Sequence, residues 1–172
     1  MASKMKRRSR ARELALQALY QVDLTRDADR SSIDAFLDDQ EAEEEPREFA
    51  RTLVYGTLEH QEEIDATISL VTQNWAISRM AVIDRNVLRL AAHELLHRED
   101  IPPKVSINEA IEIGKRFSTT NSGAFINGIL DKIMNQHSSA ADATGDEDLQ
   151  SSTDDEAQQS SAGDEELEEE SA

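Results

Sequence analysis

The chain has 172 residues, with 36 Asp and Glu against 18 Lys and Arg, and no cysteine. Without thiols, disulfides and thiolate metal sites are excluded, and a reducing cytoplasm is the expected compartment. The start is polar and basic, and no stretch is long and apolar enough for a signal-peptide core or a bilayer span, so no membrane role is expected.

The net charge of −18 is unevenly spread: 13 of the acids and none of the bases lie in Ser138–Ala172, leaving residues 1–137 at only −5. That tail has just Leu149 and Leu167 as large apolar side chains. It cannot bury enough surface to offset the entropy of ordering, so it reads as disordered. Three segments are expected: a basic flexible arm over 1–8, a helical domain over 9–136 and an acidic disordered tail over 137–172.

No sustained alternation of apolar and polar residues argues for strands, whereas helical periodicity recurs. A first helix is expected from about Ser9 to Leu24, with Ala11, Leu14, Ala15, Ala18, Leu19 and Val22 on its apolar face. A short helix follows Ser31-Ser32, and Pro46 suits the first position of the next, where its missing N–H leaves nothing unpaired. Ile64, Ile68 and Val71 mark a fourth helix; Ile83, Val87, Leu88, Ala91 and Leu95 mark a fifth, which Pro102-Pro103 stops. Ser106 and Glu109 fit a capping box, with Val105 and Ala110 as its staple. After the polar stretch STTNSG a last helix carries Phe125, Ile126, Ile129, Leu130 and Ile133. The expected class is all-α, with about seven helices and short connections.

Residues 93–97 read HELLH, the pattern in which two histidines one turn apart bind zinc and the glutamate activates water. A zinc metalloprotease using His93, Glu94 and His97 is the competing class. A third ligand is hard to find, since Glu109 is already explained as a cap, and no sheet is expected to hold substrate. Asn86, Arg89, His93 and His97 share one stripe beside the apolar face, which reads as a solvated flank. No cysteine nucleophile, Gly-rich phosphate loop or G-x-S-x-G elbow is present, so neither catalysis nor a cofactor is expected.

Residues 6–20 read KRRSRARELALQALY. The cluster Lys6, Arg7, Arg8, Arg10 and Arg12 could neutralise several phosphates and release their counterions. Arg12, Leu16 and Tyr20 follow at i, i+4 and i+8 on the side away from the apolar face, flanked by Glu13 and Gln17. Amide and aromatic side chains there could contact bases, and flexible single-stranded RNA is favoured because no helix-turn-helix pattern is seen. The residues alone leave other readings open: a solubilising arm, pairing of the cations with the acidic stretch 41–45, or a second packing face along Leu16 and Tyr20. Cations oppose the dipole at a helix N-terminus, so helix stability does not explain them.

From Arg7 to Lys132 the stretches RRSRARELALQALY, VLRLAAHEL, IPPKVSINEAIEIGKRF and SGAFINGILDKI resemble the NusB family of bacterial transcription antitermination factors. The resemblance implies an all-helical fold of two small bundles and a non-catalytic role. The protein would pair with NusE, a small-subunit ribosomal protein, and bind boxA RNA. It would then join the elongating RNA polymerase with other Nus factors, mainly on ribosomal RNA operons. By resemblance, Arg7, Arg8, Arg10 and Arg12 fall on the family's RNA-binding motif, extended here by Lys6 and Gln17. Tyr20 matches an aromatic near the RNA and partner surface, and Leu16 and Asp84 fall on the partner side. Asn121 stands where some relatives have Asp, near RNA. Glu94 and Leu95 fit the family pattern, whereas His93 and His97 depart from it. A similar module is fused to RNA cytosine methyltransferases, but only about 40 residues follow Lys132 here, too few for a catalytic domain. Whether the chain acts as a monomer or a homodimer stays open.

Overall fold

The computed structural model describes residues 2–73 and 75–145, with side chains over 4–73 and 75–140. Most of the expected acidic tail, from 146 onward, lies outside the described residues. Those described form seven α-helices and one 3₁₀ turn, with no strand. They are α1 (Ala2–Thr25), α2 (Arg30–Gln40), α3 (Glu44–Glu59), α4 (Gln61–Val71), the 3₁₀ turn Ile77–Arg79, α5 (Val82–His97), α6 (Pro103–Phe117) and α7 (Ser122–Gly145).

Two apolar cores hold the helices of residues 2–138 together. One gathers Ala11, Leu14, Ala15, Ala18 and Leu19 of α1 with Ile33 and Leu37 of α2 and Ala50, Leu53 and Val54 of α3; Leu90 of α5 reaches into it. The other gathers Ile64, Ile68 and Val71 of α4 with Val87, Leu88, Ala91 and Ala92 of α5, Ile107, Ala110 and Ile113 of α6, and Ile126, Ile129, Leu130 and Ile133 of α7. Leu16 of α1 belongs to this second core. Helices α1 and α5 therefore face both bundles and tie them together.

Several local expectations need correction. Helix α1 begins at Ala2, not Ser9, so the basic segment continues the helix instead of forming a flexible arm; Ala, Met, Lys and Arg are all strong helix formers. The cap of α2 is Asp29, whose carboxylate accepts from the backbone N–H of Ser31 and Ser32. Pro46 sits at the third position of α3. Helix α6 starts three residues before Ser106, at Pro103. The capping box is absent: Ser106 is buried and donates its hydroxyl to Glu94 instead. A proline at the first helical position had already supplied the start signal.

Candidate nucleic-acid interface

The basic first turns of α1 present cations in three different states. Arg7 and Arg10 are held by the connection between α2 and α3 and by the first turn of α3. Arg7 pairs with Glu43 at 3.2 Å and Glu45 at 2.8 Å, and Arg10 with Glu41 at 3.3 Å. The Arg7 pairs are largely exposed, where each contributes only ~0.2–1 kcal/mol and can be exchanged for another anion. Lys4, Lys6 and Arg8 have no carboxylate within ion-pair distance among the described residues. Arg8 instead stacks over the Phe49 ring, 4.6 Å from its centroid.

Arg12 is in a third state, and its expected outward position is corrected. It is 3% exposed. Its Nε and Nη2 donate to the two Glu94 oxygens at 2.7 and 3.2 Å, and Glu109 lies 3.8 Å from Nη1. Glu94 is itself 1% exposed, and Glu109 also accepts from the Ser9 hydroxyl at 2.8 Å. Arg12, Ser9, Glu94, Ser106 and Glu109 thus form one polar clamp joining α1 to α5 and α6. Arg12 fixes the helix that carries the other cations and does not itself face solvent. Leu16, also 3% exposed, is corrected in the same way. Nearly every position from Ala11 to Leu19 is buried because α2, α3, α5 and α6 surround α1. Only Glu13 and Gln17 keep partial exposure in that stretch, so Arg12 and Leu16 are not on an outer ridge.

Beyond Leu16 the surface opens into an apolar groove of about 320 Å³, lined by Leu16, Gln17, Tyr20, Gln21, Phe36, Ile83 and Phe117. Tyr20 is 38% exposed at its edge. The structure therefore brings Gln17, Tyr20 and the edge of Leu16 together. Asp84 follows Ile83 in the first turn of α5, where its charge suits the helix dipole. Asn121 is exposed on the turn between α6 and α7, after Phe117. Arg116, near the end of α6, pairs with Glu13 of α1 and seats that end against the first helix.

The HELLH histidines are not a solvated flank. His93 is 3% exposed, and Asn86 and Arg89 are buried with it. His60, His93 and His97 form a stack, with the His60 and His97 centroids 3.8 Å apart. Burial, followed by the neighbouring His97 and His60, pushes the His93 imidazole down to about 4. Glu94, the would-be base, is saturated by Arg12 and Ser106. Among the described residues no group of three or more His, Asp or Glu is placed to hold a metal ion.

The same stripe hides a second network. Asp23 of α1 accepts from Arg85 at 2.6 and 2.9 Å, from Asn86 at 2.9 Å and from Arg89 at 3.2 Å, while Arg89 also grips Asp65. Burial works against the Asp23 carboxylate, but the bonds from Arg85 and Asn86 outweigh it and hold the group below its ordinary value. Both networks join helices, and neither was visible as a motif. Glu94 did leave one signal: it lies three residues after Ala91 and seven after Val87, on the inward face.

Comparison with known proteins gives this constellation a family. The model of the NusB family matches residues 9–135, so Lys4, Lys6 and Arg8 precede the matched region. A transcription antitermination protein NusB of Trichlorobacter lovleyi is 50% identical over 126 residues, covering 73% of this chain and 89% of that protein. Its counterpart in Desulforamulus reducens is 48% identical over 134 residues, covering 78% and 94%. Among solved structures, T. maritima NusB superposes with a TM-score of 0.68 at 45% identity, over 74% of this chain and 90% of that one. A complex of the antitermination factors NusB and NusE with dsRNA includes a chain that superposes with a TM-score of 0.70 at 27% identity, over 77% and 98%. With half of its aligned residues identical to a curated relative and the family model spanning both bundles, the chain belongs to the NusB family.

Proposed function

We propose that this chain is a transcription antitermination factor that binds boxA-type single-stranded RNA together with NusE and joins the elongating RNA polymerase, mainly on ribosomal RNA operons. Its setting is the cytoplasm, and it needs no catalysis of its own. Family membership over both bundles carries this reading. Three cations without carboxylate partners among the described residues support it on the RNA side, and the Tyr20 groove supports it on the partner side.

Each residue has a role in this reading. Lys6 and Arg8 make phosphate contacts directly. Arg7 and Arg10 reach phosphate only by releasing the acidic connection, and Arg12 positions the helix. Gln17, Tyr20 and Asn121 line the continuation of the path, where amide and aromatic groups can meet unstacked bases. Tyr20, Asp84 and the accessible edge of Leu16 form the face for NusE. The zinc-protease alternative loses its general base to the Arg12–Glu94 pair.

Fluorescence anisotropy with a labelled boxA RNA, alone and paired to its complement, with and without NusE and across a salt series, tests the reading. Tight binding is expected for the single strand with NusE present, weakening steeply as salt rises. Weak binding that ignores sequence, strandedness and NusE would sink it.

A further inference from the structure

A second cleft, of about 460 Å³, lies between the first turns of α1 and the connection from α5 to α6. Its size falls within the ~300–1,000 Å³ typical of small-ligand sites. Its apolar surface comes from Met5 on one side and Val105 on the other, with Ile101 and Pro102 between. Met5 is 68% exposed and Val105 40% exposed, so both offer apolar surface beside a cationic helix. Lys4 and Arg8 stand on the α1 wall. The Arg8 guanidinium also lies over the Phe49 ring, 4.6 Å from its centroid, a cation–π contact that anchors it at the cleft wall.

We infer that this cleft is a slot for one unstacked RNA base, with Lys4 and Arg8 on the flanking phosphates. The inference rests on the RNA-binding function proposed above and locates one nucleotide within it. A nucleotide joins a base, flat and apolar on its faces, through its sugar to a phosphate, and an apolar slot with cations at its mouth can take both parts. Apolar side chains and arginine planes hold extruded bases without needing an aromatic partner. The two carboxylates in the lining do not repel the phosphate freely: Asp100 is held by Arg98 at 2.8 and 3.0 Å, and Glu109 by Ser9 and Arg12.

The test is a cycle between the protein and the RNA. Each nucleotide of a boxA RNA is replaced in turn by an abasic one, and binding with NusE is measured for the wild type and for Val105→Asp. Val105 is a surface position, and circular dichroism checks that the variant stays folded. One abasic position should cost the wild type about tenfold, the scale of one stacked base, and should cost Val105→Asp nothing further. Met5→Ala should give a smaller change at the same nucleotide. If Val105→Asp binds as tightly as the wild type, or every abasic position costs both proteins equally, the slot is wrong; Lys6→Ala weakening binding in the same assay would show that the RNA reading survives it. If the wild type shows no RNA binding, both fail.

Discussion

Arg12 brings a charge into the interior, and its fate shows what single residues do in this fold. The guanidinium and the Glu94 carboxylate lose their water together, and their two hydrogen bonds offset that loss only while both are present. Glu94→Ala should therefore cost about 3–5 kcal/mol in urea unfolding. The Arg12→Met, Glu94→Leu pair should recover much of it, because neither buried charge is left without the other; Glu109, which is partly exposed, keeps its bond from Ser9. His93 adds a pH dependence. Its imidazole titrates at about 4 in the folded protein against an ordinary 6.5, so protons bind the unfolded chain more readily. Its contribution is fully present above about pH 6.5 and is lost as pH falls from there through 4. Urea midpoints taken between pH 7.5 and 4.5 should fall for the wild type and fall less for His93→Leu; equal slopes would rule out His93 as the cause.

Between helices, the decisive features are close approach and exchangeable charge. At Gly56 of α3 an added Cβ would come within 2.4 Å of two ring atoms of His93. That ring is buried against His60 and His97, so its retreat would disturb both neighbours. At Gly114 of α6 an added Cβ would come within 2.3 Å of the terminal methyl of Ile126, which can change rotamer. Gly56→Ala should thus cost about 1–3 kcal/mol and clearly more than Gly114→Ala, in spite of similar distances. The connection between α2 and α3 offers a different test. Glu43 and Glu45 occupy Arg7 as a phosphate would. Converting both to Gln should raise RNA affinity by roughly two- to fivefold at low salt, following the ~0.2–1 kcal/mol of an exposed pair. The gain should vanish at high salt, where both the pairs and the phosphate contacts are screened.

At the scale of the molecule, α1 is both the centre of the fold and the carrier of the basic surface. Its middle third is buried against both cores, and the exposed cations at its start lie on the same continuous helix. Presentation along one helix makes phosphate contacts countable. Replacing Lys4, Lys6 and Arg8 together by Ala should lower the log-affinity against log-salt slope for single-stranded RNA by about 2, at ~0.7 per phosphate contact. Replacing Arg12 should change the slope little while lowering stability, which separates a positioning arginine from a contacting one.

The helical class, the number of helices and most apolar faces follow from the sequence alone, because periodicity is local and each amphipathic face must find a partner. The residues quoted in the four matching stretches were enough to indicate the family, since their spacing samples both bundles. Polar residues were misplaced by the same local logic. Local pattern places Arg12, Asn86, Arg89 and His93 toward solvent because they are polar, and Ser106 with Glu109 in a cap because the spacing fits. Only the tertiary structure could decide otherwise: Glu94 and Asp23 stand 82 and 62 residues from the arginines that neutralise them. A buried charge is affordable only beside its partner, and that partnership exists nowhere in the local sequence.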